Sequence, residues 1–151
     1  MFAIRMLALS AFVLLSSLFA VAYVAEIPDE QKWHVGETAT LRHSEVYCMT
    51  EEQGRKYVKL LASVLPAKVV TFRELAIIQQ TLVQYLEGCV MVPPNFQVKF
   101  EGVVEGEKFT TARGDVLLVG KWSNPGGEAY AVITEDYVSD KSMAGANDES
   151  I

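Results

Sequence analysis

The stretch V-L-L-V-G-K-W-S-N-P-G-G-E-A-Y-A-V-I-T, Val116 to Thr134, decides the fold class. Val116 to Trp122 is a short apolar run rich in strand-forming residues, and Asn124-Pro125-Gly126-Gly127 is a turn signal. Glu128 to Thr134 then repeats the strand character, so the two halves are predicted to run antiparallel. Upstream, Phe96, Val98 and Phe100 alternate with Gln97, Lys99 and Glu101, the period of a half-buried strand. Glu105-Gly106-Glu107 and Arg113-Gly114-Asp115 read as turns around a short strand, Lys108 to Thr111, and Asp136 to Val138 adds a last short piece. Three to five strands joined by tight turns predict a small, strongly curved antiparallel sheet.

Before this sheet the period changes to that of a helix. Thr50-Glu51-Glu52-Gln53 is a capping box, and Tyr57, Leu60, Leu61 and Val64 follow at helical spacing until Pro66, predicting a helix from Glu51 to Val64. Thr71-Phe72-Arg73-Glu74 repeats the cap. Leu75, Ile78, Leu82, Tyr85 and Leu86 then share a face, and Gly88 suits the position after a helix end, predicting a second helix from Phe72 to Glu87. Residues His34 to Cys48 are predicted to form one short strand. The expected fold is α+β, two helices packed on a small curved antiparallel sheet.

Met6 to Ala25 contains no charge and is long enough to cross a hydrocarbon layer of ~30 Å as a helix. Arg5 precedes it and Glu26, Asp29 and Glu30 follow, which places the N-terminus in the cytoplasm and exports the rest. Ala20-Val21-Ala22 matches the small-x-small pattern of a signal peptidase, favouring cleavage after Ala22, with retention of residues 6–25 as a membrane anchor the alternative. The organisation expected is a leader over 1–22, a polar spacer over 23–33, a single domain over 34–140 and a disordered tail over 141–151.

The chain has 151 residues and a formal charge of -6, which disfavours nucleic acid and leaves the membrane only an uncleaved leader as a means of attachment. Its two cysteines, Cys48 and Cys89, enter an oxidising compartment if the chain is exported, and a disulfide between them is expected. A redox pair usually keeps its thiols close in sequence, and a zinc site wants about four ligands at recognisable spacing, so both are weaker readings of the cysteines with His34 and His43. The bridge would tie the start of the first helix to the end of the second. Closing such a loop contributes roughly 4 kcal/mol in the chain-entropy model.

The order of leader, strand, cysteine, helical segment, cysteine and β-rich end, finishing G-D-V-L-L-V-G-K-W and A-Y-A-V-I-T-E-D-Y-V, resembles small exported bacterial proteins of unknown function with an SH3-like β-barrel. The resemblance covers about Val35 to Val138. It implies a barrel carrying a helical insert, located in the periplasm or secreted, and it brings no catalytic residue.

The residues themselves supply no catalytic set. Only His34 and His43 could act as bases, no nucleophile motif accompanies them, and no phosphate loop or metalloprotease motif is present. No cofactor and no metal are expected. Glu101, Glu105, Glu107 and Asp115 gather around two turns and raise the alternative of an envelope hydrolase using paired carboxylates. Arg113-Gly114-Asp115 is also a cell-adhesion tripeptide, read here as a turn. Among the sheet's aromatics, Phe100 and Tyr130 are expected in the core. Trp122 is the best candidate to face a ligand, with Tyr137 and Phe109 beside it. The reading is a non-catalytic binding module of the envelope, with an envelope protein or cell-wall ligand as partner. A membrane-anchored structural subunit is the alternative if the leader stays.

Overall fold

A computed structural model describes residues 28–139; the leader, the first part of the spacer and the tail lie outside the described residues. Among the described residues no helix is long and apolar enough to cross a membrane. By packing, the chain divides between Gln31 and Lys32. Before the division a single 3-10 turn, Asp29–Gln31, is described; every other element follows it.

Strands β6 (Val116–Asn124) and β7 (Gly127–Thr134) form the hairpin read from the opening stretch. They pair from Leu117↔Thr134 to Asn124↔Gly127, leaving Pro125 and Gly126 as the turn. Asn124 Oδ1 accepts from the Gly126 N–H at 2.6 Å, and Gly127 takes φ +131°. Strand β4 (Gln97–Val103) pairs with β6 through a bulge between Phe100 and Gly102, and the extra residue, Glu101, bends the strand. Strand β5 (Phe109–Thr110) pairs with the first residues of β6.

The expected strand over His34 to Cys48 is two strands, β1 (Thr38–Thr40) and β2 (Glu45–Cys48). They sit far apart in the sheet because β1 pairs with β4, whereas β2 pairs with β7 and with β3 (Cys89–Val92). The antiparallel sheet has seven strands in the order β1-β4-β6-β7-β2-β3, with β5 on β6. It is not closed into a barrel: β1 and β3 are its two ends. The expected last strand piece is a 3-10 turn, Glu135–Tyr137, after which Val138 makes an isolated parallel bridge with Trp33.

Helix α1 (Glu51–Val64) has the expected ends and the full capping box between Thr50 and Gln53. Its buried stripe is rotated from the expected one, running Gly54, Tyr57, Val58, Leu61 and Ala62, while Leu60 and Val64 face outward. Gly54 sets this rotation, because a Cβ there would lie 2.8 Å from Tyr130 Cβ and 3.3 Å from Val119 Cγ1. Helix α2 (Phe72–Val83) is capped by Thr71 and Glu74 but stops four residues before the expected Glu87. The N–H groups of Gln84, Tyr85 and Leu86 bond three residues back, and Gly88 at φ +76° turns the chain into β3. Tyr85, expected on the core face, is therefore exposed.

The disulfide between Cys48 and Cys89 is present, with the two residues directly opposite on β2 and β3. It joins neighbouring strands and not the ends of two helices. The next pair outward carries a Met49 N–H to Gly88 O bond, so the cysteines occupy a non-hydrogen-bonded pair, where α-carbons approach most closely; here they are 3.9 Å apart. Both faces of the sheet are buried. The helices cover Val46, Cys48, Leu117 and Val119 on one face, and Tyr47, Val98, Phe100, Leu118 and Trp122 form a second core on the other.

Candidate functional site

The register of β2 creates the site. Only Cys48 of β2 pairs with β7, opposite Tyr130. Beyond that pair the two strands separate, and the seam between them opens into a cleft of about 300 Å³. Ala131 to Thr134 of β7 form one wall and Glu45 and Tyr47 of β2 the other. Leu61, Leu75 and Gln79 close it from the helices, and Trp33, Trp122 and Tyr137 from the opposite face of the sheet.

The walls are mostly apolar and aromatic. Trp33 stands edge-on to Trp122 with ring centroids 4.8 Å apart, and Tyr47 does so at 6.5 Å. The indole Nε1 of Trp122 is buried and has no hydrogen-bond partner among the described residues, and Tyr57 of α1 stands near both Glu45 and Gln79. An orphan such as the indole N–H is uncommon in folded proteins.

Against these walls stands one carboxyl group, that of Glu45. Its oxygen Oε1 accepts from Gln79 Nε2 at 3.3 Å, and Gln79 is itself 3% exposed. Burial pushes the Glu45 carboxyl up to about 7, against the Gln79 hydrogen bond, which pulls it down. Burial also raises the phenols of Tyr47 and Tyr57 well above their usual range, and the nearby Glu45 charge adds to both shifts. No basic residue lines the cleft.

Of the three aromatics expected to meet a ligand, Trp122 and Tyr137 line this cleft. Trp122 lies within strand β6, opposite Ala129, and is 5% exposed, whereas Tyr137 in the final 3-10 turn is 45% exposed. Phe109 is elsewhere, buried in the core beneath the helices. Phe100 is fully buried. His43 stacks on exposed Phe72 at 3.9 Å, and the His34 N–H donates to the Glu37 carboxylate.

The acidic residues around the turns stay outside the cleft. Glu101 accepts from the Ser123 hydroxyl, Glu105 and Glu107 are exposed, and Asp115 lies 4.0 Å from Arg113. Thr111 to Asp115 closes as a hydrogen-bonded turn with Gly114 at φ +100°. Among the described residues no three or more His, Cys, Asp or Glu side chains are grouped to hold a metal ion.

Sequence reasoning missed Glu45, Tyr47 and Gln79. A signal for the last was present, since position 79 lies four residues after Leu75 and three before Leu82, a polar residue on an apolar stripe. Glu45 shares a strand face with Tyr47, which marks it as inward only once the strand's boundaries are known.

No protein family, curated protein or solved structure matches the chain. Nothing found supports the resemblance to exported proteins with SH3-like barrels, and the open sheet lacks the barrel it implied.

Proposed function

We propose that this chain is an exported, non-catalytic binding module whose recognition site is the cleft between β2 and β7. The observation that carries the reading is the seam itself, where two strands held by one residue pair part around apolar and aromatic walls. Pockets that bind small groups have this composition, with few polar atoms to set orientation. Export is supported by the Cys48–Cys89 bridge, a bond that persists in oxidising compartments. A hydrolase reading needs two carboxyl groups across a reacting bond, and Glu45 is the single acidic residue lining the cleft.

The chain has two tryptophans, Trp33 and Trp122, and both line the cleft, so intrinsic fluorescence reports occupancy directly. Titration with small probes of differing polarity, 1-pentanol, n-butylammonium and butyrate, is expected to give a saturable emission change with at least one. Thr134→Phe, which fills the wall from β7, is expected to remove it. No saturable change with any probe would end the proposal.

A further inference from the structure

The cleft's chemistry selects a class of ligand. Glu45 is a half-buried carboxyl at the mouth-side end of β2 whose hydrogen-bond partner is a neutral, buried amide, and among the described residues no cation lies within ion-pair distance of it. Buried carboxylates are normally paired, because an isolated charge in a low-dielectric site is costly. The groups that face Glu45 leave it uncompensated. Its own strand presents Tyr47, α1 presents Tyr57, α2 presents Gln79 and β3 sets Val92 opposite it, while Thr134 of β7 and Tyr137 of the last 3-10 turn line the same cleft; none of them is cationic. Around the carboxyl stand aromatic rings, whose faces attract cations and whose area accepts methylene groups. The acidic chain, at -6, adds a long-range field of the same preference.

We propose that the cleft binds an alkylammonium group, its nitrogen paired with the Glu45 carboxylate and its aliphatic stem lying along Trp33, Tyr47 and Trp122. The inference rests on the reading of the cleft as a ligand site. A volume of about 300 Å³ suits a lysine side chain or a short aliphatic amine and is at the small end for ligand pockets. The proton balance is explicit. When Glu45 starts protonated, pairing with R–NH3+ releases one proton to solvent, so affinity rises with pH.

The test is a tryptophan-fluorescence titration of the whole chain with n-butylammonium, Nα-acetyl-lysine amide and the neutral isostere 1-pentanol, at pH 5.5 and pH 8. At least one of the two amines is expected to bind tenfold or more tighter than pentanol at pH 8, and to lose about tenfold or more at pH 5.5, with pentanol insensitive to pH. Glu45→Gln keeps an acceptor for Gln79 and is expected to fold. It should abolish the amine preference and its pH dependence while retaining pentanol binding. Tighter binding of the lysine amide would identify a polypeptide source, and tighter binding of butylammonium a free amine; either supports the proposal. Equal affinity for amines and pentanol, or an amine preference surviving in Glu45→Gln, would overturn it while leaving a ligand site. Silence from all three probes would remove both the site and its proposed ligand.

Discussion

Glu45 carries a titration that folding alters. Its carboxyl moves from an ordinary 4.5 to about 7 on burial, so the folded chain holds this proton more tightly than the unfolded one. The associated stability is fully present below about 4.5 and is lost as pH rises through about 7. Glu45→Gln removes the ionisation and retains an oxygen for Gln79. The variant is expected to match the parent in urea unfolding near pH 4 and to exceed it at pH 8, by up to about 3 kcal/mol. A stability difference independent of pH would contradict the burial assigned to this carboxyl. Gly88 shows another residue tied to its surroundings. At φ +76° it suits glycine, and a Cβ would lie 2.3 Å from the Gln53 side chain that completes the cap of α1.

At the scale of elements, α1 is held against the β6–β7 hairpin by the absence of a side chain. Gly54 is a poor residue for a helix interior by about 1 kcal/mol relative to alanine. Its replacement by alanine would nonetheless place a carbon 2.8 Å from Tyr130 Cβ, closer than packed atoms approach. The steric term wins. Gly54→Ala is expected to destabilise the chain by about 1–3 kcal/mol, read as a lower urea midpoint at unchanged slope. A gain in stability would show that the helix can lift from the hairpin at little cost. The same contact explains the rotated stripe: Leu60 and Val64 match the helical period as well as Val58 and Ala62 do, and only the partner surface chooses between them.

For the whole molecule, the disulfide bridges β2 and β3, which pair with each other over four residues but reach the rest of the sheet through Cys48↔Tyr130. The bridge closes a loop of sequence separation 41 and braces the β2 wall of the cleft. Cys48→Ser with Cys89→Ser is expected to cost about 2–5 kcal/mol in unfolding free energy. Probe binding by the double variant is expected to weaken beyond what its unfolded fraction accounts for. Binding that tracks the folded fraction alone would mean the helices hold β2 in place unaided.

The local signals along the chain determined a good deal unaided. Two capping boxes, the β6–β7 hairpin and the glycine before Cys89 are written in short-range chemistry, where spacing and side-chain type suffice, and the pairing of the cysteines followed from there being two of them. Tertiary pairing decided what those signals leave open. It sent β1 and β2 to separated places in the sheet, drew Cys89 into a strand opposite Cys48, and parted β2 from β7 so that Glu45, Gln79 and Trp122 share one cleft. The reason is range: a cap or a turn forms among residues a few positions apart, whereas strand order and the burial of a lone carboxyl depend on groups tens of residues away.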